Sequence, residues 1–159
     1  MKGKKKTNVM RLLDASGIEY KIHGYEIDDG KIDGISVAKK INKKNSEVYK
    51  TLVLEGITGV YVAVLPVDLE VDLKKFAMIV GEKKIAPLNT NKIQATTGYI
   101  RGGCSPIGMV KNYRTIINES AKDLESMIIS AGQIGSQIEL KPEDLIKMTN
   151  AELKDITVK

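Results

Sequence analysis

A glycine-rich loop is the segment of the chain best suited to bind an anion. Residues 102–108 read Gly-Gly-Cys-Ser-Pro-Ile-Gly, with three glycines and one proline in seven positions. Glycine lets the backbone turn its N–H groups toward a ligand, and proline stiffens the turn. Such donors can stabilise an oxyanion, although a tight connection between strands would have the same composition. A second turn of small residues, Ser130-Ala131-Gly132, follows an apolar segment.

Few side chains in the sequence could act as a nucleophile or a base. Cys104 lies in the glycine-rich loop, but it needs a nearby base or cation to lower its thiol pKa from about 8.5. Arg101 is the one such residue close by in sequence, so a small apolar packing role is favoured. For the single histidine, His23, a solvated or packing role is favoured over catalysis. One Cys and one His cannot complete a zinc site, and we expect neither a metal nor a cofactor.

The elements that must position these residues alternate between helices and strands. Apolar residues at helical spacing predict helices at residues 7–17, 36–41, 72–81, 89–97 and from Pro142 onward, with one further helical turn at 45–49. Apolar runs and alternations predict strands at residues 18–22, 50–54, 60–65, 115–118, 127–130 and 137–140, with a short one near Tyr99. The run at 60–65 is apolar at nearly every position, which predicts a central strand. The interleaving is typical of one mixed α/β domain, here residues 1–159.

Composition and charge limit the classes of function. Of 159 residues, 42% are hydrophobic and 28% are charged, which is typical of a globular domain. The longest apolar run is too short to cross a membrane, and a single cysteine suits the reducing cytoplasm. Residues 1–50 carry 12 Lys and Arg against 7 Asp and Glu, and we expect residues 1–6 to form a disordered basic tail.

This basic excess suits a polyanionic partner, although a solvated lysine-rich surface explains it equally well. We expect the following residues to contribute to such binding: Lys2, Lys4, Lys5, Lys6, Lys39, Lys40, Lys43 and Lys44.

Several short motifs occur in the order that is typical of one family. They are Tyr49-Lys50-Thr51-Leu52-Val53, residues 62–67, 72–75, 81–84 and 97–99, the loop 102–108, residues 130–132, and Pro142-Glu143-Asp144-Leu145. With these motifs the chain resembles the YbaK/EbsC family of aminoacyl-tRNA deacylases over essentially its whole length. The resemblance implies a strongly twisted, barrel-like mixed β-sheet flanked by helices.

The resemblance also implies a function and a set of site residues. Members of the family hydrolyse wrongly charged tRNA, the YbaK branch removes cysteine from tRNA(Pro), and relatives include the alanine-editing domains of prolyl-tRNA synthetase. We therefore expect a trans-editing hydrolase that binds aminoacylated tRNA, with prolyl-tRNA synthetase as a further partner. The implied catalytic residues are Lys50, Gly102, Gly103, Ser105 and Pro106. The residues implied to bind the substrate are Tyr20, Thr51, Cys104, Gly108, Ser130 and Gly132.

Three positions depart from the pattern of the family. Relatives commonly have a Phe-Gly pair where this chain has Asp33-Gly34, and an aliphatic residue where it has Cys104. Some members have an acid where Gln137 stands. The resemblance therefore leaves part of the pocket undefined.

The expected mechanism demands little of the protein, because an aminoacyl ester is already activated. Backbone N–H groups of residues 102–105 can hold the developing oxyanion, and one good donor contributes about a hundred- to a thousandfold in rate. A basic Lys50 would need its pKa to fall from about 10.4 to about 7, which tRNA phosphates oppose. We therefore expect Lys50 to act as a cation, and the resemblance supplies the substrate's own thiol as nucleophile.

Two other functions stay open at this point. One is a deacylase for another small amino acid, such as Ala-tRNA(Pro). The other is a module that binds tRNA or a synthetase without catalysis, against which the pairing of Lys50 with the glycine-rich loop argues, since a binding module needs neither.

Overall fold

Five α-helices and eight β-strands are defined in the computed structural model, which describes residues 6–158. The helices are α1 (Asn8–Ala15), α2 (Gly34–Lys40), α3 (Leu73–Val80), α4 (Ile93–Thr97) and α5 (Pro142–Thr149). The strands are β1 (Lys21–Gly24), β2 (Tyr49–Gly56), β3 (Val60–Pro66), β4 (Ile85–Pro87), β5 (Arg114–Asn118), β6 (Met127–Gln133), β7 (Ser136–Leu140) and β8 (Glu152–Lys154). Their interleaved order confirms the mixed α/β class. None of the described helices is both long enough and apolar enough to span a bilayer.

The strands form two sheets rather than one closed barrel. The larger sheet has the order β4-β2-β3-β5-β8, in which β3 pairs antiparallel with β2 and parallel with β5. The smaller sheet has the order β1-β7-β6 and is antiparallel throughout. A parallel bridge between Val48 and Ile128 joins the residue before β2 to β6. The expected mixed sheet is therefore present, but it is divided at this bridge.

The hydrophobic core lies on both faces of β3. Val62 and Val64 face a cluster that contains α1 and the inner side of β6, whereas Ala63 and Leu65 face Phe76 of α3. All five side chains are fully buried. Strands buried on both faces are expected in the middle of a sheet. The prediction of a central strand at residues 60–65 is confirmed.

Short polar and glycine signals set the ends of the helices. Thr7 and Asp72 accept hydrogen bonds from backbone N–H groups three residues ahead, as expected of N-caps. Gly81 ends α3 with a φ of 79°, a conformation that glycine adopts without strain. The helices predicted at 7–17 and 72–81 therefore begin and end as expected.

Four short segments differ from the sequence predictions. Residues 98–100 form no strand, and residues 45–47 form a turn instead of a helix. The helix predicted at 89–97 is a 3₁₀ turn, Thr90–Lys92, followed by α4. The first strand begins at Lys21 rather than at residue 18, and the alternation there is misleading because Ile22 is 53% exposed.

Candidate active site

A cleft of about 540 Å³ opens where the two sheets meet. Its walls come from the start of α2, the start of β2 and the glycine-rich loop, together with residues of β6 and β7. The bridge between Val48 and Ile128 explains this convergence, because it places the start of β2 beside β6. Five of the expected site residues line the cleft: Lys50, Thr51, Gly102, Cys104 and Ser130.

The remaining expected site residues lie outside the cleft lining: Tyr20, Gly103, Ser105, Pro106, Gly108 and Gly132. The Tyr20 hydroxyl donates to Asp14 at 3.0 Å, and its ring packs against the core beside α1. Ser105 and Pro106 lie in the middle of the loop, and both are buried. Their positions suit support of the loop rather than contact with a ligand.

Tyr99 and two glycines hold the glycine-rich loop against the hairpin of β6 and β7. The Tyr99 hydroxyl donates to the Ile107 carbonyl at 2.5 Å. Gly132 has a φ of 91°, and a Cβ there would lie 3.0 Å from the Tyr99 ring. A Cβ on Gly103 would lie 3.1 Å from the backbone nitrogen of Ile134. A Cβ at either position would require its neighbours to shift by a few tenths of an ångström, so both glycines favour this close packing of the loop on the hairpin.

The N–H groups of the loop differ in their availability. The Gly103 N–H donates to the Ile100 carbonyl at 3.0 Å and is therefore engaged within the turn. Within residues 6–158, no backbone acceptor is paired with the N–H groups of Gly102, Cys104 and Ser105. Of these three residues, Gly102 and Cys104 line the cleft and Ser105 does not, so the oxyanion donors expected over residues 102–105 are reduced to two.

Lys50 is the half-buried cation of the cleft. Its Nζ donates to the Val67 carbonyl at 3.4 Å, and it forms no ion pair with any described residue. Burial lowers the pKa of its ammonium group, while Glu70 and Asp68 act in the opposite direction. Lys50 therefore loses its proton at a lower pH than a free lysine, and an incoming phosphate would favour the charged form.

The Thr51 hydroxyl is buried without a partner. Its Oγ1 makes no hydrogen bond to any described residue, although Thr51 lines the cleft. An unsatisfied buried hydroxyl costs about 1–3 kcal/mol, so such groups are rare unless a ligand or water uses them. The hydroxyl is unpaired but not solvent-accessible, so it would donate to a bound substrate only after a side-chain rotation that exposes it to the cleft.

Cys104 is not an activated nucleophile. Burial raises the pKa of its thiol to about 11, and the nearby Thr97 hydroxyl offsets this only in part. At pH 7 roughly one such thiol in ten thousand is ionised. His23 does not line the cleft, and its Nε2 lies 2.7 Å from Oε1 of Glu139. The packing roles favoured from the sequence fit both environments.

The charged side chains that line the cleft are Lys50, Arg101 and Asp33. The resemblance placed Asp33 in the part of the pocket that it left undefined, and the sequence analysis assigned Arg101 no site role. The signal for Arg101 is its place directly before the glycine-rich loop, and that for Asp33 is its N-cap position on α2. Among residues 6–158, no group of three or more His, Cys, Asp or Glu side chains is placed to hold a metal ion. The absence of a metal or cofactor stays a prediction.

The lysines expected to bind a polyanion divide into three groups. Lys2, Lys4 and Lys5 lie outside the described residues. Lys6, Lys40 and Lys43 lie beside Asp14, Asp29 and Glu139, respectively. The remaining two of these expected lysines, Lys39 and Lys44, are exposed and form no ion pair with a described residue. Intramolecular pairing therefore reduces the cationic surface that the sequence suggests.

A lysine, a free hydroxyl and unpaired loop N–H groups around one cleft are typical of an enzyme that stabilises charge on an acyl group. The sequence profile of the aminoacyl-tRNA editing domain matches residues 33–148. The chain is also 42% identical to the candidate Cys-tRNA(Pro)/Cys-tRNA(Cys) deacylase EbsC of Enterococcus faecalis (strain ATCC 700802 / V583), over 99% of this chain and 97% of that protein. The chain belongs to the aminoacyl-tRNA editing family.

Two solved structures share the fold. The hypothetical protein APE2540 has a TM-score of 0.87 at 20% identity, with 96% of this chain and 100% of that chain covered. A candidate trans-editing enzyme for prolyl-tRNA synthetase has a TM-score of 0.85 at 18% identity, with 98% and 100% covered. At these identities the likeness concerns the fold, and it confirms the predicted class.

Proposed function

We propose that the chain is a trans-editing hydrolase that removes cysteine from mischarged tRNA, with Cys-tRNA(Pro) as its substrate. Membership of the editing family and the 42% identity to EbsC support this choice. The observation that carries it is the cleft, which Lys50 and the N–H-bearing loop line and in whose wall the unpartnered Thr51 hydroxyl is buried. Such an enzyme works in the cytoplasm on aminoacylated tRNA, beside prolyl-tRNA synthetase.

In this proposal the substrate supplies its own nucleophile. The cysteine sulfur attacks the carbonyl carbon of its ester, so that a C–S bond forms and the C–O bond to the terminal ribose breaks. The thiol proton passes to the released ribose oxygen. Water then opens the four-membered thiolactone to free cysteine, and one water molecule is consumed overall. No protein nucleophile is required, which agrees with a Cys104 thiol that is protonated at neutral pH.

The protein orients the ester and stabilises its developing charge. The unpaired N–H groups of Gly102 and Cys104, which line the cleft, are the available oxyanion donors. Lys50 acts through its positive charge, either on the carbonyl or on the phosphate of the terminal adenosine. Orientation alone supplies several kcal/mol in an intramolecular reaction, so these modest contributions suffice for a labile ester.

A panel of aminoacylated tRNA(Pro) substrates tests the proposal. The rates of release of cysteine, alanine and proline are measured with the wild type and with Lys83→Ala, an exposed lysine outside the cleft that serves as control. We expect fast release of cysteine and little release of proline, with both proteins. Faster release of alanine would favour the Ala-tRNA(Pro) alternative. Binding without release of any amino acid would favour the non-catalytic alternative.

A further inference from the structure

Asp33 supplies the one carboxylate among the residues found to line the cleft within residues 6–158. Its neighbour Gly34 packs directly on Val67, since a Cβ on Gly34 would overlap the Val67 side chain. Val67 in turn accepts the hydrogen bond of Lys50 through its carbonyl oxygen. Val67 therefore lies between the start of α2, which carries the Asp33 carboxylate, and the Lys50 ammonium group.

These two opposite charges do not neutralise each other. No ion pair joins Asp33 and Lys50, both of which belong to the described residues. Burial lowers the pKa of Lys50 and is opposed by Glu70 and Asp68, whereas hydrogen bonds from Ser36 lower the pKa of Asp33 with a smaller contribution from Lys40. The cleft thus presents the Asp33 carboxylate and the Lys50 ammonium group separately to whatever it binds, beside the Arg101 guanidinium group.

Capping of α2 leaves the Asp33 carboxylate able to accept further hydrogen bonds. Its Oδ2 accepts the Ser36 N–H at 3.1 Å, and its Oδ1 accepts the Ser36 hydroxyl at 2.7 Å. A carboxylate has about four acceptor positions, so about two stay free. The contacts to Ser36 also fix the orientation of the group, which lowers the entropy lost when a cation binds.

An aminoacyl ester has charges of both signs at its two ends. Its α-ammonium group lies on the carbon next to the ester carbonyl, and its nearest phosphate lies beyond the ribose. We propose that the Asp33 carboxylate binds this α-ammonium group and so selects esters with a free amino group over N-acylated ones. The inference rests on the proposed function. With the ammonium at Asp33, the carbonyl is held between the anion and Lys50, and the cysteine side chain takes a fixed direction.

The test compares Cys-tRNA(Pro) with N-acetyl-Cys-tRNA(Pro), which keeps the thiol but lacks the ammonium charge. Rates are measured at pH 6.5, below the α-amino pKa of about 7.7–8.0, and each is divided by the rate without enzyme. The variant is Asp33→Asn, because Asn caps a helix about as well as Asp but is neutral. We expect the wild type to prefer the free amino group by roughly fivefold, the size expected of an exposed ion pair, and Asp33→Asn to show almost no preference.

Ser36→Ala serves as the matched structural control. It removes the hydroxyl contact to Asp33 and keeps both the backbone N–H contact and the carboxylate, so the melting temperature falls slightly while the preference for the free amino group persists. A preference that survives in Asp33→Asn overturns the inference, as does a wild type that hydrolyses both esters at equal relative rates. A wild type that hydrolyses neither ester contradicts the proposed function instead, so the two failures are distinct.

Discussion

The two ends of the β2–β3 hairpin differ in how their buried polar groups are hydrogen-bonded. At the turn, the buried Glu82 carboxylate accepts hydrogen bonds from the N–H groups of residues 57–58, the Thr58 hydroxyl and the Tyr61 hydroxyl. At the cleft, the Thr51 hydroxyl has no partner among the described residues and Lys50 has one long contact to a carbonyl. The buried polar groups at the turn are therefore hydrogen-bonded to one another, whereas those at the cleft are unpaired or weakly paired within the described residues.

This difference separates the residues that stabilise the fold from those that we propose bind the substrate. The hydrogen bonds of Thr58 and Tyr61 lower the pKa of Glu82, so its carboxylate stabilises the folded chain above its ordinary pKa. In the cleft, burial lowers the pKa of Lys50, so its charge costs stability in the free protein. Substitutions at the turn should therefore affect stability, and those at the cleft should affect activity.

The largest expected effect belongs to Lys50→Ala. Loss of the cation removes charge stabilisation in the transition state, so kcat/KM on Cys-tRNA(Pro) should fall by about a hundredfold or more. Circular dichroism and melting temperature should stay near the wild type, because the half-buried ammonium adds little to the core. Lys50→Arg, which keeps the charge, should recover part of the activity. Activity of Lys50→Ala within a few fold of the wild type would remove Lys50 from the site.

Glu82→Gln should show the reverse pattern at the other end of the hairpin. The melting temperature should fall by roughly 5 °C or more at pH 7, with activity per folded molecule unchanged. Because the folded pKa of Glu82 is lowered, its contribution is present above its ordinary pKa and is lost as pH falls through the folded pKa. The gap between the two proteins should therefore narrow in thermal melts at acidic pH. A constant gap at all pH values would contradict the account of this turn.

Thr51→Val should lower activity without lowering the stability of the fold. Valine has nearly the same shape and removes an unpaired buried hydroxyl, so the free energy of unfolding should stay the same or rise by about 1 kcal/mol. Deacylation should fall by about tenfold because a substrate contact is lost. Denaturant unfolding and kcat/KM check the two halves of this prediction. A clear loss of stability would mean that the hydroxyl is already bonded in the folded protein.

Cys104→Val should have the smallest effect of the four. The thiol, with a pKa of about 11, takes no part in the proposed chemistry, and the backbone N–H group remains in place. Steady-state rates on Cys-tRNA(Pro) should stay within about twofold of the wild type. Loss of activity, together with an acyl-enzyme trapped on the wild type, would show that the protein supplies the nucleophile.

The sequence predicts best those elements whose signals are local. The Asp72 cap, the apolar stripe of the following helix and Gly81 define α3 without reference to the rest of the chain. The continuous apolar run of β3 likewise indicates its central place. Strands β4 and β8 have three residues each, too few to show a periodicity, so pairing with β2 and β5 alone defines them.

The site could be predicted only in part, because part of its lining depends on contacts between residues that are distant in sequence. Lys50 and Thr51 follow from the family resemblance, but the lining by Asp33 and Arg101 depends on how α2 and the loop meet. The bridge between residues 48 and 128, which are distant in sequence, brings the segments that line the cleft together. The spacing of the glycines likewise does not predict that the Gly103 N–H donates to the Ile100 carbonyl within its own turn.

Deacylation of Ser-tRNA(Pro) beside Cys-tRNA(Pro) tests the central claim most directly, because the two esters differ in one atom. A hydroxyl at neutral pH is a far poorer nucleophile than a thiol, so a substrate-assisted reaction should release serine much more slowly than cysteine. Single-turnover rates with the same preparation, each corrected for spontaneous hydrolysis, make the comparison. Equal rates on the two esters would point to an activated water and would contradict the mechanism.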